Sequence, residues 1–168
     1  MLKQPQWPKG KNPLDGFGLT EVIITTAIIG TISSIAYPTY VDVNNTAKAK
    51  NTEAIITTIP TTISAYIDET GEIPSTWDDL SNISVIMSNN GPASGPLDTP
   101  ITLPSSNYIL TIKGPTDYIY TLTATRLIDI LEEEDNKFAI RSCFNISNGA
   151  SDLRSGKLSE IENELNCS

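Results

Sequence analysis

From Val22 to Val41 the chain passes 20 residues without a charge, VIITTAIIGTISSIAYPTYV. As a helix that run is about 30 Å long, which matches the hydrocarbon core of a bilayer. Thr25, Thr26, Thr31, Ser33, Ser34 and Thr39 interrupt it. Hydroxyls are tolerated in a membrane helix because they can bond back to the preceding turn. Thr26, Gly30 and Ser34 recur every four residues and give one face small side chains, where a second helix can approach closely. The alternative is a lone anchor in which that spacing has no meaning. Beyond the span, Ala47, Ala54, Ile55, Ile59, Ile63 and Tyr66 recur at three- and four-residue steps from Asp42 to about Glu69. The pattern predicts one helix of about 50 residues, roughly 75 Å. Pro38 should bend it, Pro60 should kink or break it, and Gly71 and Pro74 should end it. Its second half must lie on a globular partner, because such a helix is unstable alone.

That partner reads as a sheet. Tyr108-Ile109-Leu110-Thr111-Ile112 and Tyr118-Ile119-Tyr120-Thr121-Leu122-Thr123 alternate with period two and are rich in strand formers. Gly114-Pro115-Thr116-Asp117 reads as the hairpin turn between them. Phe138-Ala139-Ile140-Arg141 with Phe144 makes a third strand. The stretch between helix and sheet, with Gly91-Pro92 and Gly95-Pro96, reads as a weakly structured loop and a variable surface. Near the C-terminus Leu158, Ile161 and Leu165 share a helical face, with Glu160, Glu162 and Glu164 pointing away. The fold class is therefore α+β.

Charge is unevenly spread. Residues 1–16 carry +2 of the whole-chain −9, so residues 17–168 carry −11. A body that acidic repels phosphate backbones and argues against nucleic-acid binding. The chain has no histidine, which removes the commonest general base and zinc ligand. Neither nucleophile–base pair nor metal set stands out, so an enzyme is disfavoured and no cofactor or metal is expected. The run Glu132-Glu133-Glu134-Asp135 offers carboxylates to calcium, but without the alternating spacing of a calcium loop. It reads as a solvated turn before the third strand.

The start MLKQPQWPKGKNPLDG is basic and interrupted by prolines, and a small residue, Gly16, precedes the apolar run. A secretory signal places its cleavage site after such a run. Cutting after Gly16 would instead leave the apolar segment on the mature protein. Three lysines precede the span, and Lys48 and Lys50 follow it, so the bias puts the N-terminus inside and the body outside. If the body is exported, Cys143 and Cys167 would pair; two buried free thiols are the cytosolic alternative. The closure spans 25 residues and would contribute about 3–4 kcal/mol.

Gly16-Phe17-Gly18-Leu19-Thr20-Glu21, after a short basic leader and before an apolar helix, resembles the processing site of the type IV pilins. Gly30, Pro38 and Tyr40 fall where that family commonly has glycine, proline and tyrosine. A helix through Ala47-Lys48-Ala49-Lys50 and Glu53, an aromatic near Tyr66 and Gly71-Glu72-Ile73-Pro74 extend the likeness over roughly residues 10–75. The resemblance implies the pilin fold, a long helix packed on a small antiparallel sheet with a C-terminal loop bounded by the Cys143–Cys167 disulfide. It implies a cleaved leader 1–16, a membrane and filament-core segment 17–41 and a globular domain 42–168. It also implies that prepilin peptidase cuts between Gly16 and Phe17 and methylates the Phe17 amine. Glu21 would then pair with the N-terminal amine of a neighbouring subunit, since a carboxylate in an apolar core is costly unless paired. Gly18 and Thr20 depart from the family, which more often has threonine and a large aliphatic there.

The function implied is a structural subunit of a type IV pilus, serving adhesion, motility or DNA uptake. Its partners would be other copies or other pilins in a helical filament, prepilin peptidase and the inner-membrane assembly machinery. It would wait in the bacterial inner membrane, N-terminus in the cytoplasm, and end in an extracellular pilus. A minor pilin or a type II secretion pseudopilin would share the assembly physics, and a calcium loop in place of the disulfide would mark the latter. From other classes come an uncleaved, membrane-anchored binding domain and, last, an enzyme on a stalk.

Overall fold

The computed structural model describes residues 18–104, 106–127, 137–161 and 164–167. Helix α1 runs Leu19–Thr70, and the chain divides into two units between Val43 and Asn44. In the first unit the described residues are the opening of α1, with its large apolar side chains exposed. In the second unit the rest of α1 joins α2 (Trp77–Ser81), the strands β1 (Met87–Ser88), β2 (Gly91–Pro92), β3 (Ile101–Thr102), β4 (Tyr108–Thr116), β5 (Ile119–Arg126), β6 (Phe138–Asn145) and β7 (Ser151–Lys157), and α3 (Leu158–Ile161). Strands β3 to β7 form an antiparallel sheet in sequence order, and β1 pairs with β2 in a separate small hairpin. The expected α+β class, with a long apolar N-terminal helix and an antiparallel sheet, is what the chain adopts.

Helix α1 is not interrupted at Pro38 or Pro60. Each proline deprives the carbonyl four residues earlier, Ser34 or Ile56, of its usual donor. Gly71 ends the helix with φ of 72°, a left-handed position that suits glycine, and its amide still bonds to the Ile67 carbonyl at 2.8 Å. The buried stripe differs from the expected one. Ala47 and Ala54 are exposed, and the stripe is Thr52, Ile56, Ile59, Thr62, Ile63 and Tyr66. Thr52 and Thr62 can be buried because their hydroxyls donate to the Lys48 and Thr58 carbonyls, both at 3.0 Å. A stripe traced through apolar letters alone passes over them.

The sheet turns Tyr108, Leu110 and Ile112 of β4, Tyr120, Leu122 and Ala124 of β5, and Ile140 and Phe144 of β6 into one core with Ile56, Ile59 and Ile63. Period-two alternation puts these side chains on one face. The expected turn at Gly114–Asp117 lies elsewhere. Thr116 pairs with Ile119, so the turn is Asp117-Tyr118, with φ of 51° and 66°. Positive φ at both central residues is the signature of a type I′ hairpin. Gly114 and Pro115 form an irregularity inside β4, where a residue without an amide hydrogen is tolerated. A Cβ on Gly114 would lie 2.5 Å from the Ile119 carbonyl oxygen, so only glycine fits.

The stretch between helix and sheet is more ordered than its letters suggest. Thr76 caps α2 in a reciprocal box: its hydroxyl accepts from the Asp79 amide at 3.1 Å, and the Asp79 carboxylate accepts from the Thr76 amide at 2.8 Å. Trp77 and Leu80 are fully buried. The Tyr120 hydroxyl donates to the Pro74 carbonyl at 2.7 Å, and the Asp78 carboxylate accepts from Gly95 at 2.9 Å. The Ser75 and Thr76 amides hold the Asp79 carboxyl below its ordinary value of 3.8, so its contribution is lost as pH falls below that value. Burial, then the Asp79 charge, push the Tyr120 phenol up to about 12. The unfolded chain therefore ionises first, and stability is lost as pH rises from about 10 through about 12. Melting temperatures between those pH values should fall more steeply for the native chain than for Tyr120→Phe. Equal slopes would show that another group governs the alkaline limb.

The C-terminal segment corrects a further expectation. Residues 151–157 form β7, paired with β6 from Phe138↔Lys157 to Phe144↔Ser151. The helix after it, α3, is described over Leu158–Ile161, and Leu165 lies in irregular backbone instead of on a helical face. Glu162, like the run Glu132–Asp135, lies outside the described residues.

Candidate functional site

Leu19 to Val43 is the chain's unusual surface. Helix α1 is long and apolar enough to cross a membrane. Ile23, Ile29, Ile32, Ile35 and Tyr40 all stand more than half exposed there. In water, about 25 cal/mol per Å² of exposed apolar area favours covering that surface. Ile32, Ile35, Ala36, Thr39, Tyr40 and Val43 line one open apolar groove along it.

Five of the six hydroxyls that interrupt the apolar run bond within the helix. Thr25 and Thr26 donate to the Val22 carbonyl at 3.0 and 2.9 Å. Thr31 donates to Ile28 and Ser34 to Thr31, both at 2.8 Å, and Thr39 donates to Ile35 at 3.2 Å. These bonds are the ones the sequence anticipated, and they remove most of the cost of placing threonine in an apolar medium.

Glu21 lies in the first turn of α1. Its Oε2 accepts from the Gly18 amide at 3.0 Å, while the Gly18 carbonyl accepts from the Glu21 amide at 3.0 Å and the Val22 amide at 3.2 Å. The carboxylate thus caps its own helix, at the end where the macrodipole favours an anion. Glu21 is exposed, so its other oxygen can receive a further donor. Gly18 sits at the cap, where glycine is tolerated. Gly16 and Phe17, the expected cleavage and methylation residues, lie outside the described residues, as does the leader.

At the other end of the chain, Cys143 and Cys167 form a disulfide with Cα atoms 6.1 Å apart. Two residues that the sequence did not single out fix this closure. Asn145 is buried; its Nδ2 donates to the Cys167 carbonyl at 3.0 Å and its Oδ1 accepts from the Ser147 amide at 2.9 Å. In the sequence Asn145-Ile146-Ser147 was one of several Asn-x-Ser/Thr triplets, with nothing to mark it. Asp152 accepts from the Asn166 amide at 3.2 Å and the Leu153 amide at 2.9 Å, and pairs with Arg154. Those amides hold its carboxyl below the ordinary value. The disulfide and Glu21 are separate features, each described within its own unit. No protein-family model matches the chain, and neither does any curated protein or any solved structure.

Proposed function

We propose that this chain is a structural subunit of a type IV pilus, with a pilin fold. The observation that carries the proposal is the apolar opening of α1, whose surface is exposed along its length and begins with a carboxylate at the helix cap. Other copies of that helix would cover the surface, and the amine of a neighbour would meet Glu21. The antiparallel sheet packed on the later part of α1 and the Cys143–Cys167 disulfide agree with the same family's plan. The disulfide favours a pilin over a pseudopilin, in which calcium often takes that role.

Mass spectrometry of sheared extracellular filaments and of the membrane fraction tests this directly. The expected result is abundant N-methylated Phe17 as the N-terminus of filament protein. The same terminus confined to membranes would replace the proposal with a minor pilin or pseudopilin. A terminus at Met1 in every fraction would leave an uncleaved, membrane-anchored binding domain.

A further inference from the structure

Cys167 is gripped from both sides through its backbone as well as bonded through its sulfur. Asp152 lies directly across from Cys143 in the β6–β7 register. Its Oδ2 accepts at 3.2 Å from the amide of Asn166, one residue before Cys167. Asn145 lies two residues beyond Cys143 along β6, on the same face of the sheet. Its Nδ2 donates to the Cys167 carbonyl at 3.0 Å. Cys143, Asn145 and Asp152 thus make one patch that takes hold of the second cysteine at three points. Both sulfur-bearing residues are buried, each 5% exposed.

The segment leading to Cys167 also has an apolar anchor. Ile161, the last residue of α3, is buried. It packs on Gly156 of β7, where an added Cβ would lie 3.1 Å from the Ile161 Cγ2. Gly156 pairs with the fully buried Ala139 of β6, so two of the smallest residues face one another under the isoleucine. The anchor and the two hydrogen bonds involve no sulfur atom. They are available to the chain whether its cysteines are joined or reduced.

We infer that Asn145 and Asp152 are positioning residues for disulfide closure: with Ile161 they hold Cys167 against Cys143 before the bond forms and after it is reduced. Closure is a thiol–disulfide exchange. With oxidised glutathione as the oxidant, one protein thiolate attacks its disulfide and one glutathione leaves. The other protein thiolate then attacks the mixed disulfide and the second glutathione leaves, the pair carrying away the two thiol protons. That second step is intramolecular, so holding the two sulfurs together favours it. The inference does not depend on polymerisation, because every residue in it lies within the second unit.

The test reduces the full chain in detergent micelles and follows iodoacetamide labelling of Cys143 and Cys167 by mass spectrometry. In the native chain both thiols should react at least about tenfold more slowly than in urea, because labelling requires the closed segment to open. Asp152→Ala and Asn145→Asp should each speed labelling about fivefold, the scale of one hydrogen bond. Asn145→Asp keeps the acceptor for the Ser147 amide and loses the donor to Cys167. Asp152→Asn keeps an acceptor for Asn166 and should label more slowly than Asp152→Ala, a rescue that a general loss of stability would not give. Unchanged circular dichroism of the oxidised variants would show that they are folded. Labelling of the reduced native chain at its rate in urea would overturn the inference. So would a native rate in Asp152→Ala or Asn145→Asp, or equal rates in the two Asp152 variants.

Discussion

Replacing Trp77 by alanine should lower the stability of the body by about 3–5 kcal/mol, the cost of emptying a large core site. The indole is fully buried in the core cluster beside Leu80 and the sheet residues. Its Nε1 has no hydrogen-bond partner among the described residues. That nitrogen gives the experiment a second arm. Trp77→Phe also leaves a void, but it removes the unsatisfied donor, whose burial costs about 1–3 kcal/mol. The phenylalanine variant should therefore fall well short of the alanine loss. Urea unfolding of the full chain in micelles, followed by circular dichroism, measures both. An alanine variant within about 1 kcal/mol of the native chain would mean that α2 is peripheral to the core.

The other large effect concerns assembly. If the filament proposal holds, Glu21→Ala should reduce filament protein more than tenfold while leaving the membrane pool and its Phe17 terminus intact. The charge carries this expectation, because an unpaired carboxylate or amine inside packed helices costs several kcal/mol. Glu21→Gln separates that role from the cap. The amide can still accept from Gly18, as Oε2 does now at 3.0 Å, but it cannot neutralise an amine. It should fail as alanine does. Normal filaments from the glutamine variant would mean that Glu21 acts on its own helix, and the docking role would be lost.

Residues that announce their structure did so through periodicity. The alternation in β4 and β5, and Phe138 to Phe144 in β6, are visible because apolar residues fill the inward positions of β4 and β5 while threonines take most of the outward ones. β7, with the sequence SDLRSGK, carries none of that signal. It is a strand because β6 offers a ladder and the nearby disulfide holds the segment that follows, which is a tertiary effect. The turn moved for a similar reason. Gly114-Pro115 looks like a corner, yet β4 absorbs it as an irregularity and continues to Thr116. One missed element was legible. Thr76 followed three residues later by Asp79 is a capping signature, overlooked among the Gly-Pro pairs around it. At the candidate site, the span, the lone carboxylate and the cysteine pair could be read from sequence. The clamps Asn145 and Asp152 could not, because their partners are backbone groups that only the folded chain brings near.

The hydroxyls bonded within the opening of α1 bear on how that segment could change surroundings. Since Thr25, Thr26, Thr31, Ser34 and Thr39 already donate to carbonyls of their own helix, none of them needs a partner from lipid, detergent or protein. Moving the segment from one medium to another would rupture none of these bonds, and for these five hydroxyls the difference between media reduces to contact and dispersion. The cost of stripping polar groups then falls on Glu21, the charged member of the segment, and not on these five hydroxyls.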